Sequence, residues 1–598
     1  MKKIKQYRLL TSLLLLIPIL FIITFLFISN KSSIHWVQTD GPYGGYIHCI
    51  AIEGEDIFAG TEGSGIFYSE DKGVNWKEVN TGLTSKNVYS LAFCGNKIFA
   101  GTNGGIFIST DHGVKWKLID SELTGTIVLS IAMNGEDIFA GTTNGVFRSI
   151  DSGVTWQAIN TGLSSLNVST IVVDGTNIFV GTESGVYRTT DNGEQWKAVN
   201  SGLSNTQINS LVRKDKVLYA GTYEGGIFRS DNNGMSWNEI NSGLMNNKVY
   251  SIAVSDGFIY AGTEDGVYVS DNSGLTWSRV VKGLTNTFIY SLAVNDNYLY
   301  VGTNGGGVYY SINHGTSFQP INTGLINTHV GAFAKNGKTI YAGTSGAGVF
   351  LSDDGGDNWR EVNTGLTNPY VFTLAVQGDN IFAGTNGGGV FVSSDGGTSW
   401  REVNSGLSNK NIYSLVVKGK NIFAGTMGGV FMLVDHGTSW RAVNSGLANT
   451  YISSLVVNGE IIFAGTFGGG VFLSEDNGSS WIAKNTGITN DQIFTLTKSG
   501  KNVYAATPRD GVFLTKDYGA SWSQINKGLT NTNIDALAVN NKTIYAGTYG
   551  GGVFNSKSSG SSWRLFNTGL DGIDVYSFCI CDKDILAGSN TRGVWKRE

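Results

Sequence analysis

Short runs of alternating apolar and polar residues, each ending at a glycine-rich turn, repeat along most of the chain. In the segment 411–447 the runs are 412–417, 421–426, 430–433 and 440–443, all rich in β-branched and aromatic residues. Gly, Asn, Asp and Ser fill the positions between them. This pattern predicts four short strands, which we name A to D, and no helical periodicity follows the N-terminal segment. The chain is therefore predicted to be all-β.

Aromatic residues mark the period of this repeat. A Trp, or once a Phe, occurs every 40 or 41 residues, at Trp36, Trp76, Trp116, Trp156, Trp196, Trp237, Trp277, Phe318, Trp359, Trp400, Trp440, Trp481, Trp522 and Trp563. An Ala/Val-Gly/Ala-Thr/Ser tripeptide recurs on the same period, from 59–61 to 587–589. A fixed period with four short strands per unit is typical of β-propeller blades. The sequence thus predicts fourteen four-stranded blades.

Two tandem seven-bladed propellers are the favoured division, because propellers usually have four to eight blades. Phe318 interrupts the Trp series near the midpoint and is followed closely by Pro320. We therefore predict that strand D at Phe318 opens the second propeller as Trp36 opens the first, with the propellers at 32–315 and 316–598. The C-terminus stops after a strand C, so the chain ends hold complementary pieces of a blade. A single large ring or a cross-closed pair of rings is the alternative, in which case Phe318 is a sequence variation without structural meaning.

The N-terminus predicts the compartment. Four basic residues, Lys2, Lys3, Lys5 and Arg8, precede a mostly apolar run over 9–28. Twenty residues can span a bilayer, and the basic flank predicts a cytoplasmic N-terminus. We predict an uncleaved transmembrane signal-anchor over 1–31, with a cleaved signal peptide as the alternative. Either way the propellers are exported, to the periplasm or the cell surface.

Composition and charge exclude some protein classes and some kinds of partner. The chain has 83 Gly and 5 Pro without a Gly-X-Y period, which excludes a collagen. Residues 1–31 contain five basic and no acidic residues, which leaves 37 basic and 47 acidic residues in the exported part. An acidic body argues against nucleic acid as a partner. Four cysteines are too few for a disulfide scaffold. We expect free thiols, with Cys579 and Cys581 on opposite faces of one strand.

The C–D turns carry the motif Ser/Thr-x-Asp-x-Gly-x-x-Trp, first seen at Ser69 to Trp76. Its acidic positions are Asp71, Asp111, Asp151, Asp191, Asp354, Asp395, Asp435, Asp476 and Asp517. In the unit of Asp435, Leu433 stands in the place of the Ser. Over residues 36–595 the chain resembles the Asp-box (BNR) repeat propellers. This family includes sialidases, the sortilin ectodomain, the photosystem II assembly factor and tandem-propeller xyloglucanases.

The resemblance implies the fold but no one activity, because the same box occurs in enzymes, receptors and assembly factors. The box itself is predicted to be structural. Its Asp can accept backbone N–H bonds within the turn, and its Trp can pack between blades. Asn232, Asn272 and Asn313 retain part of that bonding without charge. Because each turn has few acidic residues, we expect neither a metal ion nor a cofactor.

The candidate catalytic arginines occupy fixed positions of the repeat. Arginines follow the aromatic residue of strand C or the Trp of strand D, at Arg148, Arg188, Arg229, Arg360, Arg401 and Arg441. These positions favour solvated blade edges over a sialidase-like arginine triad. Tandem-propeller xyloglucanases place paired catalytic Asp on inserted loops, whereas no unit here exceeds 41 residues. The sequence therefore identifies no enzyme, although paired carboxylates are not excluded.

The B–C and D–A connections emerge on the face opposite the boxes and vary most. Aromatic and apolar residues are frequent there in the second half, and the candidate ligand-contacting residues are Tyr223, Tyr370, Met427, Tyr451, Phe467 and Tyr549. We predict a peptide or glycan site on this face, with packing against the first propeller as the alternative. The favoured function is a membrane-anchored, exported module that binds a protein or glycan. A glycoside hydrolase and a purely structural surface protein are the alternatives.

Overall fold

The computed structural model describes residues 35–597, except 42, 120–121, 256, 296–297, 325, 435–438, 571 and 582–583. Every regular element in this range is a β-strand. The strands form fourteen four-stranded antiparallel blades, in which strands A of neighbouring blades contact one another. In the part of the chain that the structure describes, no helix is long and apolar enough to cross a membrane. The predicted anchor at 1–31 lies outside the described residues.

Blades 1 to 7 form the first ring, and each uses consecutive strands A to D. Their bounds are: blade 1, Gly44–Glu53, Asp56–Thr61, Ile66–Ser69 and Lys77–Glu78; blade 2, Val88–Cys94, Lys97–Thr102, Gly105–Ser109 and Lys117–Leu118; blade 3, Val128–Asn134, Asp137–Thr142, Gly145–Ser149 and Gln157–Ala158; blade 4, Val168–Asp174, Asn177–Thr182, Gly185–Thr189 and Lys197–Ala198; blade 5, Ile208–Lys214, Val217–Thr222, Ile227–Ser230 and Asn238–Glu239; blade 6, Val249–Ser255, Phe258–Thr263, Gly266–Ser270 and Ser278–Val280; blade 7, Ile289–Asn295, Tyr298–Gly305, Val308–Ser311 and Gln319–Pro320.

Blades 8 to 14 form the second ring, after a linking strand at Ile326–Asn327. Their bounds are: blade 8, Val330–Asn336, Thr339–Thr344, Val349–Ser352 and Arg360–Glu361; blade 9, Val371–Gln377, Asn380–Thr385, Gly389–Ser393 and Arg401–Glu402; blade 10, Ile412–Lys418, Asn421–Thr426, Gly429–Leu433 and Trp440–Ala442; blade 11, Ile452–Asn458, Ile461–Thr466, Gly470–Ser474 and Ile482–Ala483; blade 12, Thr495–Ser499, Asn502–Thr507, Gly511–Thr515 and Ser523–Gln524; blade 13, Ile534–Asn540, Thr543–Thr548, Gly552–Ser556 and Arg564–Leu565; blade 14, Val575–Cys581, Asp584–Ser589, Val594–Arg597 and, as its strand D, Trp36–Gln38.

The first ring closes on blades 1 and 7 without exchanging a strand D. Trp76 and Ile47 of blade 1 pack in one buried cluster with Tyr300 and Ile321 of blade 7. The Trp76 indole N–H donates to the Ile321 carbonyl at 2.6 Å. Strand A of blade 1 also pairs with strand B of blade 7, Tyr46 opposite Asn304, which joins both blades into one nine-stranded sheet. The start of that strand A pairs in addition with Ile326–Asn327. The ring is therefore held by side-chain packing and by backbone pairing between its first and last blades.

The second ring is closed by the N-terminal strand. Trp36–Gln38 pairs antiparallel with Val594–Arg597, so that Trp36 lies opposite Arg597. Trp36 is buried between blades 13 and 14, and its indole N–H donates to the Phe566 carbonyl at 2.8 Å. The prediction that Trp36 opens the first propeller was therefore wrong. Strand C of blade 14 would otherwise be an unpaired edge, and pairing with the N-terminus removes that edge.

The role predicted for Phe318 was wrong for a related reason. Gln319–Pro320 pairs with Val308–Ser311 and completes blade 7 instead of opening the second ring. Phe318 packs in the blade 7 cluster beside Tyr309 and Leu299. The boundary between the rings consequently falls after Pro320, and residues 36–38 belong to the second ring.

Box tryptophans act as wedges between neighbouring blades, as predicted. Trp400 is 5% exposed, and its indole N–H donates to the Val362 carbonyl of the preceding blade at 2.7 Å. Its backbone N–H donates to the Thr364 carbonyl at 2.8 Å. The same pair of bonds links Trp116 to Val79 and Thr81. Trp116 and Trp400 therefore each join two blades by packing and by two hydrogen bonds.

The expected placement of Cys579 and Cys581 was wrong. Residues two apart in a strand point to the same face, and both side chains are buried with their Sγ atoms 3.2 Å apart. They pack in the cluster that joins blade 14 to blade 8. Cys49, Cys94, Cys579 and Cys581 are all free thiols.

Candidate ligand-binding cleft

The box carboxylates are held inside their own C–D turns. Asp395 Oδ1 accepts the Ser393 hydroxyl at 2.8 Å and the Ser399 backbone N–H at 2.9 Å. Hydrogen bonds from the Ser399 side chain and backbone lower the pKa of Asp395 to about 2. The same hydroxyl and backbone bonds are made by Asp71, Asp111, Asp151, Asp191, Asp354, Asp476 and Asp517. Asp435 lies outside the described residues.

The arginines tested as catalytic candidates lie at blade edges. Arg148 pairs with Asp137 at 2.5 Å and Arg229 pairs with Asp231 at 2.8 Å, each within its own blade. Over the described ranges, no group of three or more His, Cys, Asp and Glu side chains is arranged to hold a metal ion. The opposite face, where the B–C and D–A connections lie, is the remaining candidate for a ligand site.

The two rings meet through their B–C and D–A connections. The buried Asn286 side chain in blade 7 donates to the Gly346 carbonyl in blade 8 at 2.8 Å. Tyr46 donates to the Ser345 hydroxyl at 3.1 Å. Gly346 has a φ of +112°, and a Cβ there would lie 2.4 Å from the Asn304 carbonyl oxygen, so this approach requires glycine. The variable faces of the two rings are thus turned toward each other.

A cavity of about 790 Å³ lies between the rings beside these contacts. Blades 1 and 2 and blades 13 and 14 line it, with Tyr46, Glu62, Gly63, Lys86, Asn87, Tyr549, Gly569, Gly572, Ile573, Asp574, Asn590, Thr591, Arg592 and Trp595. Nearly all of these residues lie in B–C or D–A connections. The volume is in the range of small-molecule and saccharide sites.

Carboxylates from both rings line this cavity. Glu62 of the first ring lies 3.6 Å from His48 Nε2, and the interaction with this imidazole lowers the pKa of Glu62. Asp574 of the second ring accepts the Gly550 backbone N–H. Asp535 lies behind it, where burial and the Asp574 charge raise the pKa of Asp535 to about 7. Glu62 thus lies beside an imidazole, and Asp574 is held by a backbone N–H.

Basic groups line the cavity from both rings as well. Arg592 Nη2 of the second ring lies 3.3 Å from Glu78 Oε1 of the first. Burial lowers the pKa of Lys86 to about 8, and the nearby Arg592 charge acts in the same direction. Among the described residues, no carboxylate lies within ion-pairing distance of the Lys86 ammonium group. The cavity thus holds a cation that the protein leaves unpaired.

An aromatic strip runs across blades 9 to 12 on the same face. Its members, in order, are Phe372, Tyr413, Tyr451, Phe467 and Phe494, with neighbouring ring centroids 5.2 to 5.9 Å apart. Phe467 is 39% exposed and the other four are partly buried. Phe372, Tyr413 and Phe494 lie at or just before the start of a strand A, and Tyr451 and Phe467 lie in connections. Together their side chains form one continuous apolar surface.

The six residues predicted to contact a ligand lie at different places and do not form one site. Tyr451 and Phe467 belong to the aromatic strip, and Tyr549 lines the cavity. Met427 is exposed, with its Sδ 3.7 Å from Asn411 Nδ2. Tyr370 donates to the Asn304 carbonyl at 3.1 Å and so serves the contact between rings. Tyr223 lies in the first ring under the Lys248 ammonium group.

Several aromatic residues of this face were not predicted from the sequence, because they lie at the start of strand A and not in the variable position after strand B. Phe372, Tyr413 and Phe494 each follow the first β-branched residue at the start of strand A. In the first ring the same position holds His48, Tyr89, Tyr250 and Tyr290, which form their own ring contacts. An aromatic residue directly after that β-branched position was the available signal.

Comparisons with known proteins agree on the fold. The sequence profile of the DUF6242 beta propeller domain matches residues 154–288. The chain is a β-propeller repeat protein. No curated protein sequence matches it.

Solved structures resemble the chain over nearly its whole length. An ancestral GH74 enzyme is 19% identical with a TM-score of 0.65, over 95% of this chain and 99% of that one. The GH74 xyloglucanase from Xanthomonas campestris is 14% identical with a TM-score of 0.60, over 94% and 99%. PorZ from Porphyromonas gingivalis, a surface component of the type-IX secretion system, is 13% identical with a TM-score of 0.56, over 94% and 86%. At these identities the likeness concerns the fold.

Proposed function

We propose that this protein is an extracytoplasmic, membrane-anchored saccharide-binding module whose ligand lies in the cleft between the two propeller rings. The observation that carries the proposal is the 790 Å³ cavity, which connections of both rings line on the face that also bears the aromatic strip. The anchor is the apolar segment at 9–28. The surface location of PorZ supports the same compartment.

The surface chemistry favours a saccharide over a protein ligand. A pyranose ring has an apolar face of C–H groups that stacks on aromatic rings, and its hydroxyls require hydrogen-bonding partners at the edge. The aromatic strip offers the first surface, with Phe467 exposed. Asn87, Asn590 and Thr591 offer amides and a hydroxyl at the cavity. Among the structural neighbours, the Xanthomonas enzyme is named for a glycan, xyloglucan.

Affinity gel electrophoresis of the full chain in detergent tests the proposal. Gels containing xyloglucan, glucuronoxylan or polygalacturonate should retard the protein with at least one of these polysaccharides. The double variant Phe467→Ser/Tyr549→Ser should lose the retardation, because it removes an exposed stacking surface from the strip and another from the cavity. Met235→Ser is the matched control, since Met235 is an exposed apolar residue too but lies in a C–D turn on the opposite face.

Melting temperatures of the variants separate binding from folding. All three substituted side chains are exposed, so we expect shifts of only a few degrees at most. Retained retardation in Phe467→Ser/Tyr549→Ser, or equal loss in Met235→Ser, would count against the cleft. Absence of retardation by every polysaccharide would count against a saccharide ligand altogether.

A glycoside hydrolase is a second candidate, because Glu62 and Asp574 line the same cavity from opposite rings. Glycosidases use two carboxylates on either side of the scissile bond, one as acid and one as base or nucleophile. His48 keeps Glu62 ionised, which suits a base. Release of reducing ends from xyloglucan, abolished in both Glu62→Gln and Asp574→Asn, would place hydrolysis ahead of binding alone.

A further inference from the structure

The cavity between the rings contains an unpaired cation next to a second one. Lys86, from the D–A connection between blades 1 and 2, is half-buried in the cavity wall. Arg592, from the B–C connection of blade 14, lines the same wall with a side chain that is 23% exposed. Glu78 is the ion-pair partner of Arg592, so two positive charges share one nearby negative charge. This part of the cavity therefore carries an excess positive charge.

Two cations held together in a partly desolvated site are stabilised by an anion between them. The burial that weakens the charged form of Lys86 would be offset by such a partner. Arg592 uses Nη2 for Glu78, which leaves further guanidinium N–H groups for a ligand. Asn87 and Asn590 stand beside the two cations and can serve neutral hydroxyls.

The acidic residues of the cavity limit the charge that a ligand can carry. Glu62 and Asp574 line the same space and would repel a dianionic phosphate or a strongly acidic peptide. A molecule with one carboxylate and several neutral hydroxyls can place an anion between the two cations without bringing a second negative charge near Glu62 and Asp574. We propose that the cavity binds the carboxylate of an acidic sugar, with Lys86 and Arg592 as its cationic partners from the two rings. This inference rests on the proposed saccharide function and names its ligand class.

The test uses two ligands that differ only in the carboxylate. Methyl β-glucuronide and methyl β-glucoside are titrated into the full chain in detergent, and Kd is measured by ligand-observed NMR. Charge-assisted hydrogen bonds are the stronger kind, so the glucuronide should bind roughly 10 to 100 times more tightly than the glucoside. The preference should shrink as salt is raised, because it depends on charge.

Lys86→Met should reduce the preference several-fold, because it removes one of the two cationic partners of the carboxylate. Lys410→Met is the matched control, because Lys410 occupies the same repeat position in blade 9 and its carbonyl accepts the same type of N–H, from Gly389. Lys410 is exposed and lies outside the cavity wall, so the control should keep the full preference. Arg592→Lys should reduce the preference without abolishing it, since a point charge replaces a fork of donors.

The outcomes separate this inference from the function on which it rests. Equal affinity for both ligands, or a full preference in Lys86→Met, overturns the carboxylate site while saccharide binding in the cleft stands. If neither ligand binds and no polysaccharide retards the protein in gels, the proposed function is overturned together with it.

Discussion

The two rings are built from the same repeat but are closed in different ways. The first ring uses seven consecutive blades, and Trp76 packs its first blade against Ile321 of its last. In the second ring the last blade lacks a strand D, which Trp36–Gln38 supplies from the other end of the chain. The repeat alone thus specifies blades and their neighbours. The positions of the chain ends decide which ring receives a strand from outside.

This difference couples the N-terminus to the second ring. Trp36 lies five residues after the predicted anchor at 1–31, so in the proposed arrangement the second ring is the one held close to the membrane. The second ring also cannot close until the N-terminal strand meets the last blade, a contact between the most distant parts of the chain. The first ring contains all of its own strands. We therefore expect the two rings to differ in stability and in their response to substitution.

The largest expected effect separates the two closures. Trp36→Ala removes a buried side chain from the junction of blades 13 and 14 and should destabilise the second ring by about 3–5 kcal/mol. Trp76→Ala should cause a similar loss in the first ring. Hydrogen exchange followed peptide by peptide should show faster exchange across 330–597 for Trp36→Ala and across 44–320 for Trp76→Ala.

Trp400→Ala provides the control for that comparison, since Trp400 is equally buried but lies far from either closure. It should destabilise the second ring by a similar amount without releasing the N-terminal strand. Faster exchange of the first ring in Trp36→Ala would contradict the closure described here, and so would an unchanged second ring.

A smaller effect is expected at the contact between the rings. Asn286→Ala removes the hydrogen bond to the Gly346 carbonyl and leaves a gap in a fully buried site. The free energy of unfolding should fall by about 1–3 kcal/mol. Asn368 has the same repeat position and donates to the Asn386 carbonyl within its own ring at 2.9 Å. Asn368→Ala should therefore have the smaller effect. Equal melting temperatures for the two variants would show that the bond between rings contributes nothing.

Acid should destabilise the blades whose boxes hold Asp before the blades whose boxes hold Asn. The hydrogen bonds of the box turns hold the pKa values of Asp354, Asp395, Asp476 and Asp517 at about 2, below the usual carboxyl value near 4. A lowered pKa in the folded state stabilises the fold above pH 4, and that contribution is lost as pH falls toward 2. In the first ring Asp71, Asp111, Asp151 and Asp191 have lowered pKa values as well, whereas three boxes have Asn232, Asn272 and Asn313 instead. Hydrogen exchange at pH 5 and pH 3 should show a larger increase in the turns with Asp boxes than in the turns of Asn232, Asn272 and Asn313.

Asn313→Asp sharpens the acid comparison and has the smallest expected effect. Asn313 already accepts the Ser311 hydroxyl at 2.8 Å and the Ser317 backbone N–H at 3.1 Å. A carboxylate can accept both bonds, so the free energy of unfolding at pH 7 should change by less than about 1 kcal/mol. Blade 7 should become more sensitive to acid in chemical denaturation at pH 3. No change in that sensitivity would argue against the box carboxylates as its source.

The repeat made most of the fold predictable. The strands expected from the segment 411–447 agree with those of blade 10 to within about one residue, because alternation and turn residues determine a strand locally. The closure was predicted wrongly because it depends on which distant edge the Trp36 strand meets. Phe318 was misleading, since the replacement of one wedge residue does not alter the connectivity of its blade.

The site was only partly predictable. Phe467 and Tyr549 were predicted because variation after strand B is visible in the repeat, and Tyr451 was predicted from the D–A connections. Lys86 and Arg592 were missed, because their importance comes from the approach of two rings that are far apart in sequence. The role of Tyr370 was likewise a matter of tertiary contact, since its hydroxyl reaches the other ring.

Hydrogen exchange of the full chain with saturating methyl β-glucuronide tests most directly whether one ligand bridges both rings. We predict slower exchange in connections of the first ring at 62–64 and 85–88 and of the second ring at 572–574 and 590–592, with no change in the box turns. Protection confined to one ring, or protection of the box turns instead, would contradict a shared site in the cleft.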